Sequence, residues 1–135
     1  MNMNDSELMT PVNLARAFNS GLTSSEIGYC YYTGAVLGIK PAGCRTSLIY
    51  KKSFERFIEY KNEVEKSDCE GLDLMTPVNL AREFDSGLTS HQIGYLFLIG
   101  AVKGLRPRGS RTSLIYKKSF EKYLEYRKSI FTFVT

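Results

Sequence analysis

Six basic side chains, Lys103, Arg106, Arg108, Arg111, Lys117 and Lys118, fall within sixteen residues with no carboxylate among them. Cations gathered in this way neutralise phosphates and release counterions, which is the sequence-independent part of affinity for double-stranded DNA. A corresponding stretch nearer the N-terminus keeps Lys40, Arg45, Lys51 and Lys52, but has Leu37, Ala42 and Cys44 where the later one has Lys103, Arg108 and Ser110. The earlier stretch is therefore expected to grip phosphate less well. It either meets a degenerate half-site or faces a protein partner, a second copy of the chain included. Hydrogen-bonding groups accompany the cations: Ser25, Tyr29 and Tyr32 in the first half, His91 and Tyr95 in the second, with Gly28 and Gly94 permitting close approach of a backbone. Tyr29 and Tyr95 suit partial core packing equally well, and His91 reads as a polar surface residue.

Other chemistries lack their residues. The three cysteines, Cys30, Cys44 and Cys69, show no CxxC spacing, and His91 is the single histidine, so neither a disulfide framework nor a zinc site can be assembled. The segment Gly100-Ala101-Val102-Lys103-Gly104 lacks the GK[ST] ending of a phosphate-binding P-loop. Glu55 with Glu59, and Glu121 with Glu125, stand one helical turn apart beside lysines, where surface ion pairing accounts for them. Catalysis, a metal and a cofactor are thus not expected. With 43% hydrophobic and 24% charged residues the chain has the balance of a globular protein rather than a disordered tail. No apolar run reaches the roughly 18 to 20 residues of a membrane helix, and Met1–Leu8 has no basic or apolar leader character. The expected setting is reducing, cytoplasmic or nucleoid-associated, without membrane contact.

The elements that position these residues occur twice. Leu8–Asn62 recurs as Leu74–Lys128 at an offset of 66 residues without a gap, and 37 of the 55 aligned positions are identical. The first copy has seven Lys and Arg against three carboxylates, the second ten against four. The joining stretch Glu63–Asp73 has five acids and one lysine, and reads as an acidic soluble strap.

Within a copy, Thr10-Pro11 and Thr76-Pro77 supply an N-cap and a first-turn proline. Val78, Leu80, Ala81 and Phe84 then give a short apolar face that ends at Ser86-Gly87. Thr23 with Glu26, and Thr89 with Gln92, have capping-box spacing and open a second helix, whose buried positions are expected at Ile93, Leu96 and Phe97 and whose end is Gly100. Ala101–Arg106 and Thr112–Tyr116 read as strands around the turn Pro107–Arg111, with Pro41–Arg45 its counterpart. A last helix, Lys118–Arg127, buries Phe120, Tyr123 and Leu124. The fold class expected is α+β, mainly helical, in two tandem small modules, residues 8–62 and 74–128, joined by 63–73.

This order and its punctuation resemble the winged helix-turn-helix domains of the MerR and phage-excisionase superfamily. The likeness spans nearly all of each copy: the T-P opening, the G-L-T-S turn, a helix ending in G-A-V, the R-G-S-R hairpin tip and L-I-Y-K-K-S-F-E-K-Y-L. In the first copy the last two read A-G-C-R and L-I-Y-K-K-S-F-E-R-F-I. The resemblance implies DNA binding, with the second helix in the major groove and the hairpin, or wing, on the backbone or minor groove. Transcription regulation, recombination directionality and phage DNA packaging are the roles it brings. In this chain the second helices carry no Lys or Arg, which removes the usual bidentate contact to guanine. The strap of twelve residues, Asn62 to Asp73, stretches to about 40 Å at most, enough to join half-sites ~34–36 Å apart, and imposes no two-fold axis. The resulting expectation is one chain on two adjacent half-sites, with the second copy dominant. The alternative is a protein-interaction adaptor or inhibitor, favoured by second helices without Lys or Arg.

Overall fold

The computed structural model describes residues 7–67 and 73–132. The N-terminal segment up to residue 6, and residues 68–72 of the acidic strap, lie outside the described residues.

Each copy contains a strand, two short helices, a hairpin and a long helix. In copy one these are β1 (Leu8–Met9), α1 (Pro11–Ala17), α2 (Ser24–Tyr32), β2 (Gly38–Ile39), β3 (Leu48–Tyr50) and α3 (Lys51–Lys66). Copy two repeats them as β4 (Leu74–Met75), α4 (Pro77–Glu83), α5 (Ser90–Leu98), β5 (Gly104–Leu105), β6 (Leu114–Tyr116) and α6 (Lys117–Thr132). The protein is α+β with two small antiparallel sheets, ordered β1-β3-β2 and β4-β6-β5.

Local chemistry sets the helix starts. The Thr10 and Thr76 hydroxyls accept from the backbone N–H groups of Asn13 and Asn79, the third residues of their helices, each at 3.2 Å. Both capping boxes close: the Thr23 N–H donates to Glu26 Oε1 at 2.8 Å, and the Thr89 N–H to Gln92 Oε1 at 2.9 Å, while the hydroxyls accept in return. Gly104 allows β5 to cross β6 closely, because a Cβ there would lie 2.2 Å from the Leu114 carbonyl oxygen; Gly38 does the same for β2 over Leu48.

Several boundaries differ from the sequence expectation. Leu8–Met9 and Leu74–Met75 join the sheets as strands, pairing with β3 and β6. The hairpin strands are shorter than expected, and Ala101 and Val102 precede β5 as buried residues outside any strand. Val78, expected in the core, is 46% exposed, because a two-turn helix buries only Pro77 and Leu80. The strap loses its first four residues to α3, which runs on to Lys66 and is held there by buried Val64 and a Lys61–Glu65 pair at 2.9 Å. Likewise α6 runs five residues past the expected Arg127.

The copies do not hang apart on a strap. Their buried residues form one continuous cluster, from Leu14, Ile27 and Phe54 through Ala35 and Ala101 to Ile93, Ile115 and Phe120. The seam is reciprocal: the Tyr60 hydroxyl donates to the Ala101 carbonyl at 2.8 Å, and the Tyr126 hydroxyl to that of Ala35 at 2.7 Å. Tyr60 stacks on Tyr126 with centroids 4.2 Å apart, and Tyr29 on Tyr95 at 4.1 Å. Gly34 and Gly100, at φ 80° and 79°, end α2 and α5 closely enough that a Cβ would meet Arg127 and Lys61 respectively, each at 2.9 Å. Every one of these pairs exchanges positions 66 apart, which is the signature of a two-fold relation between the copies.

Candidate nucleic-acid interface

The Tyr29–Tyr95 stack sets α2 beside α5 at one end of that axis. On its outer side each helix is separated from its own hairpin by a groove. In copy two the groove holds about 370 Å³ and is lined by Ser90, His91 and Gly94 of α5, Val78 of α4, and Arg106, Arg111 and Thr112 of the hairpin. The copy-one groove, about 780 Å³, uses the matching residues Ser24, Ser25, Gly28, Val12, Lys40, Arg45 and Thr46. Between them a shallow depression of about 470 Å³ is floored by Tyr29, Tyr32 and Tyr95, with Ser25, Gly28 and His91 at its edges. Shared residues make the three hollows one continuous surface: neutral and aromatic at the centre, hydroxyl-lined further out, and basic at the rim.

The structure assembles part of the set expected from sequence. Ser25, Lys40, Arg45, His91, Arg106 and Arg111 are exposed along this surface. Arg108 is exposed on the turn, where the Ser110 N–H donates to the Pro107 carbonyl at 2.9 Å. Among the described residues, no carboxylate forms an ion pair with Lys40, Arg45, Arg106, Arg108 or Arg111. Tyr29 and Tyr95 line the surface but are spent on each other, and hydrogen bonding to the Tyr29 phenol holds that of Tyr95 above its usual range.

Four lysines at the helix starts fall elsewhere. Lys51, Lys52, Lys117 and Lys118 begin α3 and α6 and line none of these hollows. Lys117 is paired with Glu83 at 2.8 Å, which raises its pKa, and Lys51 and Lys52 are half-buried. Lys103 corrects the sequence reading most clearly. It is not a wing-tip cation, because its ammonium donates to the Ser67 carbonyl at the C-terminus of α3, where a cation complements the helix dipole. Its counterpart Leu37 packs against the core cluster. This exchange therefore no longer supports a stronger grip by copy two, and Arg108 against Ala42 is the difference that remains.

Reasoning from sequence missed Ser24, Ser90, Thr46 and Thr112 on the groove walls. Their identity across the two copies, at positions where no core periodicity calls for them, was the available signal. Cys30 is fully buried, with its thiol pushed up chiefly by burial, and Cys44 is exposed on the hairpin turn. Among the described residues no cluster of three or more His, Cys, Asp or Glu side chains could hold a metal ion. None of the described helices is long and apolar enough to cross a membrane. Compared with protein-family models, curated proteins and solved structures, the chain matches none.

Proposed function

We propose that the chain is a DNA-binding protein whose two copies are winged helix-turn-helix modules fused into one pseudo-dimer, which grips the phosphate backbone through its hairpins. One observation carries the reading. In both copies basic hairpin residues without an ion-pair partner among the described residues, Arg106 with Arg111 and Lys40 with Arg45, share a groove with the hydroxyl-bearing first turn of the second helix. Guanidinium, ammonium, hydroxyl and helix N-terminal N–H groups are the donors that phosphates accept from. A transcription regulator and an excisionase-like architectural factor would both use such a grip.

The seam revises how DNA is engaged. With α2 and α5 in contact, their separation falls far short of the ~34 Å between successive major-groove faces. Two independently placed half-sites therefore give way to one continuous site per chain, with the hairpins at its two ends. Some four phosphate contacts predict a log–log salt slope of about −4 for duplex binding. Replacing Arg106, Arg108 and Arg111 with Ala should flatten that slope by about 2 to 3, measured by gel shift of the full chain at several salt concentrations.

A second reading has its own observation: Val12, Tyr32, Val78 and Leu98 are each nearly half exposed along the same grooves, and α2 and α5 carry no cation. Those features suit a docking protein. Affinity for DNA that is absent, or unchanged in the triple variant, would select it.

A further inference from the structure

The depression between α2 and α5 has a chemistry of its own. Tyr29 and Tyr95 stack with rings 14° from parallel, and Tyr32 and His91 both meet Tyr95 edge-on, at 5.9 Å and 4.9 Å. Tyr32 is 49% exposed, and Cβ atoms built on Gly28 or Gly94 would touch nothing within 4 Å, so the floor is open from above. No Lys or Arg lies on either helix. The cations stand at the rim, on the hairpins.

The shape argues against an intact duplex seated on this floor. Two helices side by side, each about 10–12 Å across with side chains, make a ridge of about 20 Å, whereas the major groove of B-DNA is about 12 Å wide. Unpaired bases face no such limit. An aromatic floor accepts the π-face of any base, and a basic rim follows the backbone, which is the combination that sequence-tolerant single-strand sites use. Guanine-specific readout would instead need Arg or Lys on the helices.

Resting on the proposed backbone grip, we infer that the α2–α5 surface takes unpaired bases of single-stranded nucleic acid, stacked on Tyr32 and His91 between the two hairpins. The platform is unequal, because Leu98 stands where copy one has Tyr32. Stacking therefore falls to Tyr32 on the copy-one side and to His91, where copy one has Ser25, on the copy-two side.

The test compares labelled oligothymidine of about 12 nucleotides with a duplex of the same length, by fluorescence anisotropy with the full chain at about 50 mM salt. Oligothymidine should bind at least as tightly as duplex. Tyr32→Ala should weaken it about 5- to 100-fold, and Tyr32→Phe, which keeps the ring, should bind like the unaltered chain. If Tyr32→Ala leaves oligothymidine binding unchanged, or if duplex binds more than about tenfold tighter, the inference is overturned. Salt-steep duplex binding that depends on Arg106, Arg108 and Arg111 would still leave the backbone grip standing. Failure of both probes to bind at low salt would overturn both.

Discussion

Tyr123 and Tyr126 are the most informative single residues of the seam. Both are buried, and their hydroxyls donate to the carbonyls of Thr33 at 3.0 Å and Ala35 at 2.7 Å. Burial pushes both phenols well above the usual range, since ionisation there would place a charge away from water. The folded pKa thus exceeds the unfolded one. The contribution to stability is fully present below about pH 10, and it falls as pH rises beyond, because the unfolded chain releases protons that the folded chain retains. Tyr126→Phe should cost about 1–3 kcal/mol at neutral pH by leaving the Ala35 carbonyl unpaired in the core. Tyr123→Phe should cost less, as Phe57 already fills the matching place in copy one. Urea unfolding at about pH 7 and about pH 10.5 checks both points, and the double Phe variant should show a shallower alkaline loss than the unaltered chain.

At the scale of elements, capping and close strand crossing make separate predictions. Thr89→Ala removes the cap of α5 and should cost about 1 kcal/mol in chemical denaturation, with Thr89→Ser nearly neutral. Gly104→Ala should cost about 1–3 kcal/mol or more, because the new Cβ is aimed at backbone of β6 that cannot give way without opening the hairpin. Gly94→Ala has the opposite sign: it sits in a helix with open space around it, and should stabilise by about 0.5–1 kcal/mol. If α5 contacts nucleic acid, the same substitution should weaken binding while raising stability. Measuring both on one variant separates the role of Gly94 in the fold from its role on the surface.

For the molecule as a whole, a continuous core and a two-fold seam predict one cooperative unfolding transition, although the sequence contains two repeats. Circular dichroism and tyrosine fluorescence should give coincident curves, and two separated transitions would contradict the shared core. Each copy has only about 55 residues, close to the size at which one core barely suffices, so the copies complete each other. Lys103 adds to this closure by reaching across to the end of α3. Lys103→Ala should therefore lower stability by about 0.3–1 kcal/mol and leave the salt slope of DNA binding unchanged, the reverse of what a phosphate contact would show.

What the sequence determined alone was everything governed by neighbours along the chain. The duplication at 66 residues, the capping boxes at Thr23–Glu26 and Thr89–Gln92, the second-helix core at Ile93 and Leu96, and the hairpin turns at Pro41 and Pro107 follow from local hydrogen bonds and from periodicity, whereas Phe97, expected beside Leu96, is only half-buried. Strands of two residues, such as Leu8–Met9, leave no alternation to read, and become strands only because β3 lies alongside. Glu63–Lys66 resembles a solvated acidic strap until Val64 finds a buried place that keeps α3 helical. Tyr29, Tyr95 and Lys103 each admitted a surface reading, since on one copy alone a tyrosine edge or a lysine has no partner to betray it. Tertiary structure decided their roles by bringing two copies of the same surface together. A two-fold seam is made of residues that are complementary to their own repeats, and nothing local in the chain distinguishes such a face from one left to solvent.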